Sequence, residues 1–289
     1  MVFHVLPIKE YFLPGSPAEA RRLLTEGKGK YSLLGGGTGL AFSKPKNIHA
    51  IVDLSRTGLD YVKERTGGIH LGSGLTISEL NRHPLFSNYF GGMVREAATS
   101  VATTPLRNLI TVGGNVMQVY LWSCLPVLFL GLGAKFKIIG GKKKRTIGVD
   151  DFFARQPGRQ LAYDEILKEV VLPCPEKGTG GAFIKFSKTK TDFALLMASV
   201  ALWTEGGLCR ESRVVLGAAS PMPMRLKSAE EVLKGSSLSR EIIKKASLAG
   251  VESFRPLRDY RVKEGYREKI APILVERCLS LAAERAFIR

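Results

Sequence analysis

Two glycine-rich segments contain the residues whose types and spacing best suit chemistry. Residues 35–39 read GGGTG and follow a short apolar run, and residues 111–115 read TVGGN. Consecutive glycines at a strand end allow φ > 0 and turn several backbone N–H groups onto one concave face, which binds phosphate without a lysine side chain. Two such segments are typical of a pyrophosphate clamp. The alternative, that each is only a tight turn, stays open at this point.

Neither segment fits the common phosphate-binding patterns. The dinucleotide pattern G-x-G-x-x-G requires glycine at position 40 or 42, where the chain has Leu40 and Phe42. The P-loop pattern requires Ser or Thr after Gly-Lys, but Tyr31 follows Gly29 and Lys30. Both patterns are therefore excluded.

The other reactive side chains give weaker signals. The four histidines are scattered without a carboxylate or serine at informative spacing, and the cysteines at 124, 174, 209 and 278 form no CxxC pair. We therefore predict no catalytic residue and no metal or iron–sulfur site in this chain. Residues 142–145 read KKKR without interleaved aromatic residues, which favours a solvated turn over a nucleic-acid site.

The composition is that of a folded protein with an unusual charge. Of 289 residues, 45% are hydrophobic and 24% are charged, which excludes a disordered tail, a collagen-like chain and a disulfide miniprotein. The length favours two domains, or one with a large elaboration. The net charge of +17 attracts nucleic acid, an anionic membrane surface, an anionic ligand or an acidic partner subunit. Charge alone does not choose between them.

The sequence predicts a cytoplasmic protein with free thiols. Its first residues lack a basic stretch followed by an apolar core and a small-residue cleavage site. The most apolar stretch, residues 121–134, is interrupted by Pro126, Gly131 and Gly133 and is shorter than the roughly 20 residues of a spanning helix. No membrane span is predicted.

The apolar patterns predict an α+β fold, because helices follow a group of strands at the C-terminal end. Ser16 and Pro17 indicate a helix start, Pro105 a helix stop, and residues 173–181 a domain boundary. Strands are predicted at residues 31–34, 48–54, 69–74, 134–139, 144–147, 166–172, 182–187, 195–204 and 213–218. Helices are predicted from residues 17 and 76 and at residues 92–101, 125–133, 240–252 and 266–286.

The glycine segments also resemble those of a known family. Residues 33–40 (LLGGGTGL) are similar to its A-G-G-T/H-D/S-L loop, and residues 105–115 (PLRNLITVGGN) to its P-x-I-R-N-x-x-T-I-G-G-N segment. Further similar segments lie at residues 69–76, 145–153, 164–173 and 182–194, so that all of them occur in the family's order. The chain thus resembles the FAD-binding medium subunits of molybdenum hydroxylases of the carbon monoxide dehydrogenase, xanthine dehydrogenase and 4-hydroxybenzoyl-CoA reductase type.

The resemblance implies a fold and a site. It implies a two-lobed FAD-binding domain of the PCMH and vanillyl-alcohol-oxidase type, with an α/β lobe at residues 1–55 and an α+β lobe at residues 56–176. A C-terminal domain at residues 177–289 would contain a three-stranded sheet and helices. FAD would lie between the two lobes with its pyrophosphate on the glycine segments. The residues placed at the cofactor are Leu33, Leu34, Gly35, Gly36, Gly37, Thr38, Gly39, Leu40, Thr111, Gly113, Gly114, Asn115, Cys124, Leu167 and Lys185.

Two positions depart from the family pattern. Gly39 stands where relatives have Asp, Glu or Ser, and Cys124 lies near the position of an Asp that contacts the FAD ribose. A thiol is a poor hydrogen-bond acceptor compared with a carboxylate. Either Ser123 supplies that contact or FAD is held more weakly than in relatives. Tyr120 and Trp122 are interpreted as packing residues, with one ring beside the isoalloxazine as the alternative.

The resemblance implies an electron-transfer subunit of a hetero-oligomer. Electrons would pass through FAD, which would connect the [2Fe–2S] clusters of a small partner subunit with an external acceptor or donor such as NAD. A second partner would be a large subunit that binds molybdopterin. Because this chain has no cluster ligands, those centres are expected only in the partners.

Two other functions stay open. The first is a structural subunit that binds FAD weakly or not at all, which Gly39 and Cys124 favour. The second is a free-standing FAD oxidoreductase, which would need its own acid or base in residues 177–289, where no such cluster is evident.

Overall fold

In the computed structural model, residues 8–43, 47–141 and 144–287 are described. Their strands are β1 (Glu10–Phe12), β2 (Tyr31–Leu34), β3 (Ala50–Asp53), β4 (Val62–Arg65), β5 (Gly68–Gly72), β6 (Lys135–Ile139), β7 (Arg145–Gly148), β8 (Ile166–Leu172), β9 (Thr179–Phe186), β10 (Leu196–Glu205), β11 (Leu208–Gly217) and β12 (Met224–Arg225). Their α-helices are α1 (Pro17–Gly27), α2 (Thr38–Ser43), α3 (Ile77–Arg82), α4 (Met93–Thr99), α5 (Thr104–Arg107), α6 (Val112–Gln118), α7 (Cys124–Leu132), α8 (Val149–Phe153), α9 (Lys227–Leu233), α10 (Arg240–Val251) and α11 (Tyr266–Phe287).

The chain forms two compact units, each assembled from separate stretches. Unit 1 contains the chain up to Glu79 together with Thr103–Gln118 and Lys135–Leu172. Unit 2 contains Leu80–Ala102, Val119–Ala134 and the chain from Pro173 onward. Elements that are distant in sequence therefore pack together within each unit.

Unit 1 begins with a small parallel sheet of order β1-β3-β2. All four residues of β3 are buried, as expected for a central strand that is covered on both faces. Helix α1 packs against this sheet and starts as predicted. The Ser16 hydroxyl accepts a hydrogen bond from the Glu19 N–H, and Pro17 occupies the first turn, where its missing N–H has no cost.

The second sheet of unit 1 is antiparallel, with the order β4-β5-β8-β6-β7. The predicted hairpin of β6 and β7 is confirmed, with Lys135 opposite Gly148. Residues 142 and 143 of its predicted turn lie outside the described residues. Phe136 stacks on Phe152 of α8 with the ring centroids 4.1 Å apart, which fixes α8 on the sheet.

Unit 2 is built on an antiparallel sheet of order β12-β11-β10-β9. Its three long strands match the three predicted ones, and the two-residue β12 adds a short edge. Helix α11 packs on β9 and β10, and α7 packs on β10 and β11. The core between sheet and helices is a continuous cluster of aliphatic side chains from β10, α10 and α11. Both predicted terminal helices are confirmed.

Two local predictions are wrong. Pro105 was expected to stop a helix, but α4 ends earlier at Thr99 and Pro105 lies in the first turn of the separate helix α5. The second glycine segment was expected to be a loop after a strand, but Gly113 and Gly114 lie inside α6. The β-branched run before Gly113 forms no strand, because Thr111 makes an isolated bridge with Thr76 rather than a ladder.

Candidate cofactor site

The first glycine segment connects β2 to α2 in unit 1. Leu33 and Leu34 end the strand, and Thr38 opens the helix. Gly37 has a φ of +74°, a conformation that favours glycine, whereas its neighbours Gly35 and Gly36 have ordinary negative φ values. Gly35 is exposed, and Gly36 to Leu40 are half-buried, so this stretch can be reached from solvent.

The second segment is held against the β5–α3 connection. The Val112 N–H donates to the Leu75 carbonyl, and the Gly113 N–H donates to the Ser73 carbonyl, both at 2.8 Å. The Gly114 N–H donates to the Thr111 hydroxyl at 3.0 Å. These bonds fix the start of α6 independently of local sequence preference, and Asn115 follows in the same turn.

The two glycine segments lie in direct contact. A Cβ atom placed on Gly36 would lie 1.5 Å from the Leu109 carbonyl oxygen, and one on Gly35 would lie 2.6 Å from the Thr111 hydroxyl oxygen. The helices that follow, α2 and α6, also pack together. The glycines at 35 and 36 are therefore required by close approach rather than by positive φ. The expectation that positive φ would explain the whole segment is correct only for Gly37.

The residues present fit an anionic group. Within residues 8–43, 47–141 and 144–287, no protein acceptor lies within hydrogen-bonding distance of the Gly36 and Gly37 N–H groups. Unpaired, partly exposed N–H groups on a turn with a positive-φ glycine form a suitable cradle for phosphate oxygens. The donor set thus matches a pyrophosphate and requires no side-chain charge.

Gly39 has a structural reason as well. A Cβ atom at this position would lie 2.9 Å from Cγ of Gln118, at the end of α6. A larger residue at 39 would have to displace the Gln118 side chain.

The remaining predicted residues lie on other elements of the chain. Leu167 is buried on β8 of unit 1, opposite Ile138. Cys124 and Lys185 belong to unit 2. Cys124 is buried at the start of α7, and burial raises the pKa of its thiol to about 12. Cys124 is therefore a neutral thiol. The hydroxyl of the adjacent Ser123 accepts a hydrogen bond from the Tyr120 N–H at 3.1 Å.

Lys185 is occupied by backbone carbonyls. Its ammonium donates to the carbonyl oxygens of Ser100 at 2.8 Å, Lys190 at 2.9 Å and Asp192 at 3.1 Å. Burial lowers the pKa of Lys185, and the neighbouring Cys124 and Asp192 oppose this shift. All three ammonium protons therefore have acceptors within unit 2.

Three aromatic rings stack beside Cys124. Tyr120 and Trp122 stack with centroids 5.1 Å apart, and Phe193 stacks on Trp122 at 4.2 Å. Phe193 is 54% exposed. The predicted packing role of Tyr120 and Trp122 is thus seen within unit 2, while the role beside the isoalloxazine stays a prediction.

Sequence reasoning missed a charged cluster on the antiparallel sheet of unit 1. The buried carboxylate of Glu169 accepts from Tyr61 at 2.5 Å and lies 2.9 Å from Nδ1 of His70 and 3.0 Å from Nζ of Lys137. Burial tends to raise the pKa of Glu169, but these hydrogen bonds prevail and hold it at about 2. The signal available in the sequence was a charged residue on each of two apolar strands. In the structure these two residues face each other, because Glu169 on β8 is the register partner of Lys137 on β6.

Searches for metal ligands and membrane spans gave no site. In the part of the chain that the structure describes, no group of three His, Cys, Asp or Glu residues is placed to hold a metal ion. Of the helices in that part, none has the length and apolar character needed to cross a bilayer.

Comparison with known families now identifies the class. Residues 6–175 match the family described as FAD binding domain in molybdopterin dehydrogenase, and residues 181–282 match the CO dehydrogenase flavoprotein C-terminal domain. The chain belongs to this family of FAD-binding subunits of molybdopterin-dependent oxidoreductases. The family inferred from the glycine segments is therefore confirmed, as is FAD as its cofactor.

Individual relatives agree over nearly the full length. The chain is 26% identical to the carbon monoxide dehydrogenase medium chain of Hydrogenophaga pseudoflava, covering 96% of this chain and 98% of the relative. It is 27% identical to the nicotine 6-hydroxylase medium subunit of Paenarthrobacter nicotinovorans, covering 97% and 99%.

A solved structure supports the same fold. The carbon monoxide dehydrogenase from Hydrogenophaga pseudoflava that lacks the Mo-pyranopterin moiety matches with a TM-score of 0.90 at 26% identity. The alignment covers 97% of this chain and 99% of the matched chain. The α+β fold class with its C-terminal sheet and helices is therefore confirmed.

Proposed function

We propose that this chain is the FAD-carrying electron-transfer subunit of a multi-subunit molybdenum hydroxylase. The observation that carries this proposal is the direct contact between the two glycine segments, together with Gly36 and Gly37 N–H groups that have no acceptor among the residues that the structure describes. Family membership supplies the cofactor, and this contact supports the glycine segments as the binding site of its pyrophosphate.

The chain's own residues act by binding and orienting. The Gly36 and Gly37 N–H groups donate to phosphate oxygens, and Gly37 supplies the turn that aims them. Thr111 holds the second segment by accepting from Gly114. When bound, FAD supplies the electron-transfer chemistry, and the protein supplies position and electrostatics. No side chain of unit 1 has to act as an acid or base for this role.

The full set of fifteen cofactor residues and the division at residues 55 and 176 stay proposals. Within that set, residues 33–40 and 111–115 are brought together in unit 1, which supports their shared role. Cys124, Leu167 and Lys185 are assigned to the cofactor by resemblance. The three carbonyl acceptors of Lys185 favour a positioning role for its ammonium.

One observation favours the alternative of a weakly binding subunit. Cys124 is 1% exposed and Ser123 is 4% exposed, and Ser123 already accepts a backbone hydrogen bond. Neither residue is a ready replacement for the carboxylate that contacts the ribose in relatives. We therefore expect FAD to bind more weakly here than in a relative that has an aspartate at this position.

The remaining redox centres are assigned to other polypeptides. The relatives named medium chain and medium subunit are parts of larger complexes by their names. We propose a small [2Fe–2S] subunit and a large molybdopterin subunit as partners, in a cytoplasmic assembly consistent with four free cysteines. The external acceptor, NAD or another, stays a prediction.

The test is an absorption spectrum of the purified chain after FAD is added and unbound FAD is removed by gel filtration. Flavin bands that stay with the protein support the proposal. A well-folded chain that retains no flavin, alone or in its complex, contradicts it and leaves the structural-subunit alternative. The variants that locate the site are given in the Discussion.

A further inference from the structure

A cluster of charged and polar side chains surrounds the buried carboxylate of Glu169 in unit 1. We call it the Glu169 cluster, and its other members are Tyr61, Arg65, His70 and Lys137. Glu169 is only 1% exposed, although it is an acidic residue on a strand. Cofactor binding as proposed above makes no direct use of these side chains.

Stability alone does not account for the Glu169 cluster. Burying a carboxylate costs solvation free energy, which ion pairs regain only in part. His70 adds a further cost, because its Nδ1 lies 2.9 Å from the Glu169 carboxylate while its buried Nε2 has no hydrogen-bond partner among the described residues. Fixing the register of neighbouring elements is the best-attested role of buried polar groups of this kind. The register around Glu169 is therefore the feature to explain.

Glu169 lies next to a β-bulge in β8. Between Lys137 and Ile138 the register with β6 shifts by one residue, which makes Lys168 an extra residue of β8. The ion pair of Lys137 with Glu169, 3.0 Å long, joins the two register partners beside the bulge. Bulges redirect side chains and interrupt regular pairing, and they are frequent next to functional sites. The Glu169 cluster thus holds the register at the point where the ladder becomes irregular.

Backbone hydrogen bonds connect the bulge to the second glycine segment. The Lys168 carbonyl accepts from the Ser73 N–H at 3.0 Å, and the Ser73 carbonyl accepts from the Gly113 N–H at 2.8 Å. Ser73 therefore binds the bulge through its N–H and the glycine segment through its carbonyl. Its side chain also limits the approach of the segment, since a Cβ on Gly113 would lie 2.8 Å from Cβ of Ser73.

Tyr61 provides a second connection to the same place. Its hydroxyl donates to Glu169 at 2.5 Å, and its carbonyl accepts from the Gly72 N–H at 2.8 Å. Gly72 precedes Ser73 and is the register partner of Glu169 on β5. A Cβ on Gly72 would lie 2.0 Å from the Leu59 carbonyl oxygen, so residues 59–61 pack tightly on the end of β5. The end of β5 is thus held both by β8 and by the residues that precede β4.

We propose that Glu169 is a positioning residue for the FAD site: it locks the bulge and Tyr61, and so fixes the place at which Ser73 holds the second glycine segment. The role is indirect, because it passes through the backbone of Ser73. FAD as the ligand rests on the proposed function. The fixed position of residues 111–115 rests on the contacts of unit 1 alone.

The experiment measures FAD affinity and local backbone order in the purified full chain. FAD dissociation constants are obtained by fluorescence titration, and hydrogen–deuterium exchange reports on the amides of residues 109–118. The variants are Glu169→Gln, which removes the charge but keeps an acceptor, and the milder Tyr61→Phe, which removes one donor. Lys137→Met and Lys137→Arg form a second pair, in which only the arginine keeps the charge.

The control for a general loss of stability is Phe152→Leu. The Phe152 ring is buried and stacks on Phe136 of β6 at 4.1 Å. Because successive side chains of a strand point to opposite faces, Phe136 lies on the face of the sheet opposite to Lys137. The control therefore destabilises the same sheet without touching the Glu169 cluster.

We expect Glu169→Gln to raise the FAD dissociation constant roughly three- to thirtyfold, and Tyr61→Phe to raise it less. In both variants the amides of residues 109–118 should exchange faster than in the wild type, with and without FAD. Lys137→Met should resemble Glu169→Gln, whereas Lys137→Arg should keep the wild-type affinity. Phe152→Leu should lower the unfolding free energy but leave both FAD affinity and this exchange at wild-type values.

Two results would overturn the inference. One is wild-type FAD affinity in Glu169→Gln and Tyr61→Phe, whatever their exchange rates. The other is an equal loss of affinity in Phe152→Leu, because the effect would then be a general loss of stability. If Glu169→Gln does not fold, Tyr61→Phe and Lys137→Met decide.

The exchange measurement separates this inference from the proposed function. A wild-type chain that retains no FAD contradicts the proposed function. Faster exchange of residues 109–118 in Glu169→Gln, but not in Phe152→Leu, would then still support the fixed position of the segment. Unchanged exchange in a chain without FAD would contradict both.

Discussion

The rings of Trp122 and Phe193 stack with their centroids 4.2 Å apart and their planes 27° apart. The segment that carries Phe193 is held by three cationic side chains through its backbone. Lys185 binds the carbonyls of Lys190 and Asp192, while Arg261 and Arg267 bind those of Ala194 and Leu195. These hydrogen bonds hold the backbone on both sides of Phe193 and so keep its exposed ring stacked on Trp122.

We predict that Lys185→Met loosens this stack. The variant removes three charge-assisted hydrogen bonds, so acrylamide quenching of Trp122 fluorescence should increase roughly twofold, with about 1–3 kcal/mol lost in unfolding free energy. Trp203→Phe is used as the background, because Trp122 is then the single tryptophan. The exposed Lys188→Met is the control. Unchanged quenching in Lys185→Met would show that the stack does not depend on this ammonium.

The phosphate cradle is tested by a pair of variants at Gly37. Asn and Asp both tolerate the positive φ of this position better than other non-glycine residues do. Among the described residues, a Cβ here meets only Cδ1 of Leu34, at 3.5 Å. Gly37→Asp adds a negative charge beside the expected pyrophosphate, whereas Gly37→Asn does not. We expect FAD affinity to fall roughly tenfold further in the Asp variant, measured by fluorescence titration. Equal affinity in the two variants would place the phosphates elsewhere.

The contact between the glycine segments should be costly to disturb. Gly36→Ala places a methyl group against the Leu109 carbonyl, so we expect a loss of about 1–3 kcal/mol in unfolding free energy, measured by urea titration. Gly158→Ala is the control, because a Cβ there meets no atom of the described residues within 4 Å. If both variants unfold at the same urea concentration, the two segments are not in contact.

Glu169 should make the stability of the protein depend on acidic pH. Its pKa lies below the ordinary value of 4.5, at about 2, so the unfolded chain takes up the proton first. Its stabilising effect is complete above about pH 4.5 and is lost as the pH falls towards 2.

We expect Glu169→Gln to lower the unfolding free energy by on the order of 2 kcal/mol at neutral pH, because the variant removes the carboxylate that pairs with Lys137. The loss is limited because Lys137 is partly exposed and can be rehydrated. The difference from the wild type should shrink below pH 4.5. The exposed Glu176→Gln should change stability by less than about 0.5 kcal/mol at any pH. A constant difference between Glu169→Gln and the wild type across this pH range would contradict the assignment.

The four cysteines should differ in reactivity. Cys174 is exposed, while Cys124, Cys209 and Cys278 are buried, and burial raises the pKa of Cys124 to about 12 and that of Cys209 to about 11. A thiol-reactive disulfide reagent should therefore modify one thiol in the native chain and all four after unfolding. Cys174→Ser should abolish the native reaction. A thiol that still reacts fast in that variant would mean that one of the buried sites opens readily.

Much of the site and fold followed from local sequence. The capping residues Ser16 and Pro17, the alternating apolar strands and the glycine segments act within a few residues of the chain. The three long strands of unit 2 and its two terminal helices were predictable for the same reason. The family was recognisable because residues 33–40 and 105–115 carry its motifs in continuous stretches.

Only the tertiary structure decided what depends on segments far apart in the chain. Gly113 lies in the first turn of a helix rather than in a loop, and its N–H donates to the carbonyl of Ser73. Gly36 must be glycine because the Leu109 carbonyl approaches it. The Lys185 ammonium finds its acceptors in the carbonyls of Ser100 and Lys190, which are far apart in the sequence. Local preferences record the energy of a residue with its neighbours in sequence. Close approach and buried charge pairs are set by neighbours in space, which no short stretch of this sequence contains.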